Sequence, residues 1–394
     1  MKKKNLLIIN YGFLIGGAET FITKIFPKFT GHYNVYILIL SNNVNENLLK
    51  SLPSNISIIR FSEIISFLLK ILFNKINIDI FYSTLPQCFI FSLFCYFLSK
   101  NNLKQKLIVS PHQTESFCAK SNFLQVHRKI TQYAIKKIPL ENFIFLNNAG
   151  RDFHQHRLNH DFSKSNVVKL YVDINKFDFF DRSEIMKNKI ISIGRLATYK
   201  TYNIQLLPIF KKLYDEGSDV EWHIYGDGEL RSKMEKIISD YQIRNVFLKG
   251  SLNYSEMNSI LRKYFLFIGS GTSLIEASSS GMPSISTIES SKHADSYGFL
   301  FNIKGNCFIE PNLNIKKYDM YSLIKKAISC DDKMYSEMQI KSRKKALEFS
   351  VDIIQDYKKI FRASSSLNFS KILCFVIFSI YVLFSLINFM TIKK

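Results

Sequence analysis

Two cations five residues apart, Arg195 and Lys200, follow a short apolar run at residues 190–193. The planar guanidinium of an arginine can donate paired hydrogen bonds to phosphate oxygens, and a lysine ammonium acts as a compact positive charge. At the end of a buried strand, the pair could therefore bind a diphosphate. Basic residues in solvated loops are common, so this segment alone does not identify a site.

Two other apolar runs lead into glycines, at residues 12–17 and 269–271, and each glycine segment precedes a pattern of helical spacing. Glycine lets main-chain N–H groups approach an anion closely, and a helix N-terminus adds partial positive charge. In the second segment, Thr272 or Ser273 could cap the helix, and Glu276 in its first turn could accept hydrogen bonds from ribose hydroxyls. The alternatives are a tight strand-to-helix turn and, for Glu276, a favourable charge near a helix N-terminus.

Short apolar runs alternate with segments of helical spacing along the whole chain. Strands are predicted at residues 6–9, 35–40, 56–59, 78–82, 107–109 and 143–146, and in a second series at 190–193, 220–225, 246–248, 265–268 and 283–286. This alternation predicts parallel sheets covered by helices. We therefore predict an α/β chain with two Rossmann-like domains, 1–172 and 189–362, joined by a linker at 173–188. The cleft between such domains is the expected site.

The composition of the chain limits the classes of partner and bound ion that can be expected. The chain has 394 residues, of which 47% are hydrophobic and 22% charged, which excludes long disordered tracts. A formal net charge of +21, more than half of it in residues 1–176, favours an anionic partner. Nucleic acid is not expected, because no RNP-like motif, zinc finger or long basic run is present. The six cysteines show no CxxC spacing, so neither a zinc site nor a disulfide framework is predicted.

The two ends of the chain differ. Near the start, a lysine cluster and an apolar run resemble a signal peptide, but Asn10 and Tyr11 interrupt the run, which favours a strand. Residues 372–390 carry no charge, and as a helix they would reach roughly 28 Å, close to the thickness of the hydrocarbon core. We predict a transmembrane helix after a tether at 363–371, with the domains on the cytoplasmic side of the inner membrane. A helix packed on the fold is the alternative.

Taken together and in order, the motifs resemble the retaining glycosyltransferases of the GT-B fold, the family 4 group (glycosyl transferases group 1). The resemblance covers roughly residues 5–350. The segments that carry it are Gly16-Gly17-Ala18-Glu19, Tyr171-Val172-Asp173, Gly194-Arg195-Leu196 with Lys200, Tyr225-Gly226-Asp227-Gly228, Leu248-Lys249-Gly250, Leu274-Ile275-Glu276-Ala277 and Gly281-Met282-Pro283.

The resemblance implies a nucleotide-sugar donor held without a metal or other cofactor. It implies that Arg195 and Lys200 bind the diphosphate, that Glu276 binds the ribose, and that the segment around Leu248 lies along the base. The implied donor-binding residues are Gly16, Gly17, Arg195, Lys200, Gly226, Leu248, Gly271, Thr272, Ser273 and Glu276.

Two positions qualify what the resemblance implies. His112, after the run at 107–109, is implied to be a catalytic residue that contacts the transferred sugar, although a lone histidine is more often structural. Ile268 stands where the family has the first carboxylate of its Glu-x7-Glu pair. Thr272, Ser273 and main-chain amides could replace that carboxylate, or activity could be lost.

The implied function is membrane-associated transfer of a sugar to a lipid-linked or saccharide acceptor in the synthesis of a bacterial surface polysaccharide, such as capsule, O-antigen or lipopolysaccharide. The alternative is a catalytically degenerate GT-B subunit that binds a nucleotide sugar or scaffolds an assembly. Two apolar helical segments, 63–74 and 88–100, fit either core helices or a face that touches the membrane. The sequence does not select the nucleotide or the sugar.

Overall fold

The structure of the chain is a computed structural model that describes residues 3–14, 16–100, 104–112, 117–118, 125–182, 187–311, 313–367 and 369–392, and only the backbone of 125–128 and 384–392. The chain divides into two compact units. The first comprises Met1–Lys169 and Ile353–Lys394, and the second comprises Leu170–Asp352. Residues 183–186 of the predicted linker and residue 368 of the predicted tether lie outside the described residues.

A five-stranded parallel sheet forms the centre of the first unit, in the order β3-β2-β1-β4-β5. The residues of β1 from Leu6 to Ile9 are buried, since helices cover the sheet on both faces, as an unbroken apolar run predicts. The strands of this unit are β1 Lys4–Asn10, β2 Tyr33–Ile39, β3 Ser57–Ile59, β4 Ile80–Ser83 and β5 Lys106–Val109, with a separate pair β6 Ile144–Phe145 and β7 Asn166–Val167.

The second unit repeats this arrangement with the order β10-β9-β8-β11-β12. In both sheets the first strand lies in the middle, the next two extend one side, and the last two extend the other. The prediction of an α/β chain with two Rossmann-like sheets is therefore confirmed. The strands of the second unit are β8 Lys189–Ile193, β9 Glu221–Tyr225, β10 Val246–Gly250, β11 Leu266–Gly269, β12 Ser284–Ser286, β13 Asp295–Ser296 and β14 Tyr318–Asp319.

Helices connect the strands in both units. Their apolar faces pack on the sheets: α1, for example, buries Phe21, Ile22 and Ile25, which lie on one side of the helix. The helices are α1 Gly17–Ile25, α2 Glu46–Lys50, α3 Ile64–Leu72, α4 Pro86–Leu98, α5 Gln125–Ile135, α6 Asn148–Leu158, α7 Tyr202–Gln205, α8 Leu207–Asp215, α9 Arg231–Asp240, α10 Met257–Leu261, α11 Thr272–Ser279, α12 Met320–Ile328, α13 Asp332–Leu347, α14 Ile354–Ala363 and α15 Lys371–Ile392.

A buried tryptophan organises the core of the second unit. The ring of Trp222 stacks on Phe210 of α8 with centroids 4.9 Å apart. Its Nε1–H donates to the hydroxyl of Ser192 at 2.8 Å, and that hydroxyl donates to the carbonyl oxygen of Ile268 at 2.5 Å. These bonds satisfy the buried polar groups and join β9, β8 and β11 through side chains.

The segment after the second unit returns to the first unit. Lys106 on β5 donates from Nζ to the carbonyl oxygens of Phe361 and Arg362, at 2.9 Å each. The N–H of Leu367 donates to the carbonyl oxygen of Gln105 at 3.0 Å. The chain between α14 and α15 is thus fixed to the edge of the first sheet.

These contacts differ from the predicted boundaries. The predicted second domain ended at residue 362, whereas residues from Ile353 onward lie in the first unit. The predicted tether at 363–371 is packed on the fold, since Ser365 also exchanges hydrogen bonds with the side chain of Asn142.

The C-terminal helix α15 packs along α4. Phe378 stacks on Phe94 of α4 with ring centroids 3.9 Å apart, and Cys374 and Ile377 are buried in the apolar cluster of the first unit. Among the residues that the structure describes, no helix is long and apolar enough to cross a membrane. This corrects the prediction of a transmembrane helix at 372–390: the run is apolar, but one face of the helix contacts protein.

The packing of α15 can be tested with a matched pair of substitutions. Ile377 is 3% exposed and Ile372, on the same helix, is 75% exposed. We expect Ile377→Ala to lower the free energy of unfolding by about 2–5 kcal/mol, because it leaves a cavity in the apolar cluster of the first unit. Ile372→Ala should change it by less than about 0.5 kcal/mol. Urea unfolding of the full chain, followed by circular dichroism, measures both; equal effects would contradict the packing.

Candidate functional site

The topology of the second sheet creates a crevice at one edge. From β8 the chain adds β9 and β10 on one side and then β11 and β12 on the other. The connections that leave the carboxyl ends of β8 and β11 therefore run in opposite directions, and ligands of such sheets bind where they separate. Arg195 and Lys200 follow β8, and Gly271 follows β11. The sheet order thus brings the predicted cations and the predicted glycine turn to one edge.

Lys200 lies directly over the end of β8. Its side chain is buried, and a Cβ added to Gly194 would lie 3.0 Å from Nζ. Burial opposes the charge of Lys200, but neighbouring Tyr202 and Glu289 outweigh it, so the pKa of the ammonium is raised above its ordinary value. Lys200 is therefore positive at neutral pH. Arg195 is partly exposed and, within the described part of the chain, forms no ion pair.

Main-chain contacts join the loops after β8 and β9. A Cβ on Gly226 would lie 1.9 Å from the carbonyl oxygen of Gly194, so only glycine fits this close approach. The N–H of Gly194 donates to Tyr225, and the N–H of Leu196 donates to Asp227, each at 2.9 Å. Gly226 therefore permits the close approach of the two loops, and the main-chain hydrogen bonds join them.

Leu248 lies on β10, at the far side of this loop pair. The N–H of Gly226 donates to the carbonyl oxygen of Gly250 at 2.7 Å, so the end of β10 adjoins the loop after β9. The side chain of Leu248 is partly buried against the apolar cluster of the sheet. The implied contact of Leu248 with a base stays a prediction.

The turn from β11 into α11 differs in detail from the sequence expectation. Gly271, with φ +73°, occupies the position before the helix, and neither Thr272 nor Ser273 caps it through its side chain. The hydroxyl of Ser273 instead donates to the carbonyl oxygen of Ile193 at 2.7 Å. That bond fixes the N-terminus of α11 against the end of β8, next to the predicted cations.

Glu276 is the fifth residue of α11, not a residue of its first turn as predicted. Its side chain is buried, and Oε1 accepts a hydrogen bond from the hydroxyl of Tyr254 at 2.9 Å. Burial and the adjacent carboxylate raise the pKa of Tyr254 above its ordinary value, so the hydroxyl stays a donor. Tyr254 was not predicted, since nothing in a spacing of 22 residues signals the contact.

The structure shows where Ile268, at the position of the first carboxylate of the pair, lies. Its side chain is fully buried in the apolar cluster that contains Trp222. The position therefore faces the core of the second unit, and a carboxylate there would be buried in a mainly apolar cluster.

The first unit holds the remaining predicted site residues at the carboxyl edge of its own sheet. Gly16 precedes α1, and a Cβ on Gly17 would meet nothing within 4 Å. His112 follows β5, with Nε2 3.2 Å from the hydroxyl of Tyr82 and its ring 4.9 Å, centroid to centroid, from Phe21 of α1. Burial lowers the pKa of His112 to about 4, so the imidazole is neutral at pH 7. The catalytic role of His112 stays a prediction.

Comparison with known proteins gives a matching family, two relatives and a similar solved structure. The family described as "Glycosyl transferases group 1" matches residues 173–298. The 2-deoxystreptamine N-acetyl-D-glucosaminyltransferase of Niallia circulans is 28% identical over 204 residues, 47% of this chain and 52% of that protein. The poly(ribitol-phosphate) alpha-N-acetylglucosaminyltransferase of Staphylococcus aureus is 27% identical over 265 residues, 63% of this chain and 48% of that protein.

The chain thus spans about half the length of the curated relatives it matches. Among solved structures, HepE of Anabaena in complex with UDP and glucose superposes with a TM-score of 0.68 at 13% identity. The superposition covers 91% of this chain and all of HepE, which shows that the two share a fold.

The buried position of Ile268 gives a stability test. Ile268→Glu would place a carboxylate in an apolar cluster, and we expect it to lower the free energy of unfolding of the second unit by about 3–5 kcal/mol. Ile268→Val should cost only about 0.5–1.5 kcal/mol. The fluorescence of Trp222, the single tryptophan, follows the unfolding. A glutamate variant as stable as the unaltered chain would place the side chain outside the core.

Proposed function

We propose that the chain, a glycosyltransferase of the GT-B fold, transfers N-acetylglucosamine from UDP-N-acetylglucosamine to a saccharide acceptor. The observation that supports the proposal is that the loop carrying Arg195 and the buried Lys200 meets the N-terminus of α11 at one edge of the sheet. The names of two relatives, both N-acetylglucosaminyltransferases, support the choice of sugar. The UDP bound to HepE supports the choice of nucleotide.

The proposed chemistry follows from the charges at this crevice. When the bond between the anomeric carbon and the phosphate oxygen breaks, negative charge grows on the leaving diphosphate. A guanidinium and an ammonium already in place stabilise that charge without reorganisation. Lys200 suits this role because its raised pKa keeps it positive. Retention of the anomeric configuration, membership of family 4 and independence of a metal ion are parts of the proposal that rest on the sequence resemblance.

Membrane association is a further part of the proposal, through the first unit. Ile65, Leu69 and Leu72 form an exposed apolar stripe on α3, and Ile372 and Phe375 are exposed on α15. Helices α3 and α15 both pack on α4, so each presents its other face outward. An exposed apolar stripe with the exposed Lys70 on the same helix fits the interface of an anionic bilayer.

We propose that this surface holds the chain at the cytoplasmic face of the inner membrane, where a lipid-linked acceptor of a surface polysaccharide lies. The positive charge of the first part of the chain supports an anionic membrane partner, since more than half of the net charge of +21 falls in residues 1–176.

One observation favours a second function. Residue 268, at the place of the first glutamate in the family pair, is a buried isoleucine, so this position offers a donor no carboxylate. A catalytically degenerate subunit that only binds a nucleotide sugar would have the same feature. Turnover separates the two: release of UDP that requires an acceptor supports the enzyme, and tight donor binding without turnover supports the subunit.

The donor site is tested by removing its cations. We expect Arg195→Ala and Lys200→Ala each to weaken the binding of UDP-N-acetylglucosamine by roughly 10- to 150-fold, because a charge-assisted bond to phosphate is lost. Arg244→Ala, exposed just before β10 at the opposite edge of the sheet, is the control and should have no effect. Isothermal titration calorimetry measures the affinities, and full affinity in both variants would place the diphosphate elsewhere.

The membrane surface is tested with vesicles that contain anionic phospholipid. We expect the chain to float with the vesicles, and less so at high salt because screening weakens the attraction. Ile65→Glu with Leu69→Glu should reduce the bound fraction at least tenfold, since apolar contact is lost and like charge is added. Ile340→Glu, at an exposed apolar residue of the second unit, is the matched control. Equal flotation of all three would exclude α3 from the membrane contact.

A further inference from the structure

The loop after β12 is fixed across the end of the second sheet by main-chain bonds. The N–H of Thr287 donates to Gly269 at the end of β11 at 2.9 Å. The N–H of Ser290 donates to the carbonyl oxygen of Tyr199, next to Lys200, at 2.7 Å. The backbone of this loop therefore needs no side chain to hold it beside the crevice.

Glu289 lies in this loop with its carboxylate toward the turn after β11. Oε1 accepts a hydrogen bond from the hydroxyl of Ser270 at 2.8 Å, and Ser270 is buried directly before Gly271. Burial raises the pKa of the Glu289 carboxyl above its ordinary value, and the charge of Lys200 opposes that rise. Within the described residues, Oε2 accepts no hydrogen bond, and the side chain is only partly buried.

We propose that Glu289 binds hydroxyl groups of the transferred sugar and so supplies, from the loop after β12, the carboxylate that position 268 lacks. This inference rests on the proposed function, because it presumes a nucleotide sugar in the crevice. It names a specificity-determining residue that the spacing of the Glu-x7-Glu pair does not reveal.

The order of the strands supports this assignment. Of the expected nucleotide contacts, Leu248 and Gly226 lie at β10 and β9, and Glu276 of α11 reaches Tyr254 in the segment after β10. The cations lie after β8. A donor laid along this edge has its diphosphate at β8 and its sugar beyond, at the ends of β11 and β12. Glu289 lies at that end of the edge.

The chemistry of the site also favours a sugar ligand. A carboxylate next to a diphosphate is repelled, unless cations and hydroxyl donors lie between the two. Lys200 and the hydroxyls of a sugar meet that requirement. Oε2 of Glu289 is not among the buried unpartnered atoms of the described residues, so it is open to solvent, and a sugar hydroxyl can replace water as its donor. Sites built on such bonds reject analogues that lack the hydroxyl.

The test compares two ligands on the full chain. Glu289→Gln keeps the shape and an acceptor for Ser270 but removes the charge. We expect the affinity for UDP-N-acetylglucosamine to fall about tenfold or more, as for a lost hydrogen bond to a charged group, while the affinity for UDP stays the same or rises. Glu337→Gln removes a carboxylate that is 54% exposed on α13 and should change neither affinity. Isothermal titration calorimetry measures all of them.

Each other outcome is informative. A parallel loss of UDP affinity would show that Glu289 acts through Lys200 or the loop, and it would overturn the proposal, as would no change for either ligand. If the unaltered chain binds neither ligand, the proposed function itself is wrong. Should Glu289→Gln fail to fold by Trp222 fluorescence, Ser270→Ala replaces it. That variant frees the carboxylate, and we expect a smaller loss confined to UDP-N-acetylglucosamine.

Discussion

The contact between two main-chain loops, those after β8 and β9, is the constraint on which the rest of the candidate site depends. The carbonyl oxygen of Gly194 occupies the space where a Cβ of residue 226 would stand. In the loop after β8, Arg195 is partly exposed, and the buried side chain of Lys200 brings Nζ close to Gly194. The buried side chain of Lys200 therefore has little conformational freedom to lose when a ligand binds. The preorganisation of this edge therefore depends on the absence of a side chain at Gly226.

The fold could be predicted from the sequence almost strand by strand, because strands buried on both faces are short unbroken apolar runs. The runs at 6–9 and 265–268 correspond to β1 and β11. The same criterion gave the wrong result for α15. Apolarity reports that a helix avoids water, but it does not distinguish lipid from another helix, and the partner α4 is more than 270 residues away in sequence. The place of α14 in the first unit depends on similarly distant contacts.

At the site, glycine turns and cations could be predicted because their roles depend on local backbone geometry and on the ends of strands. Side-chain partners from other loops could not. Tyr254 and Glu289 reach Glu276 and Ser270 across the sheet end, and no spacing encodes such meetings. For Ile268, only part could be predicted. The sequence shows that the first carboxylate is missing. That the side chain at this position faces the core follows only from the register of β11.

The return of residues 353–392 to the first unit sets an order on folding. The second unit is continuous in sequence, so all of its contacts are available once residue 352 has left the ribosome. The first unit is completed later, because α14 bonds to the edge of its sheet at Lys106 and α15 packs on α4. Contacts that close such long loops slow folding. During synthesis the first unit therefore exposes apolar surface while the second unit can already be folded. This exposed surface is the part of the chain that a chaperone would bind.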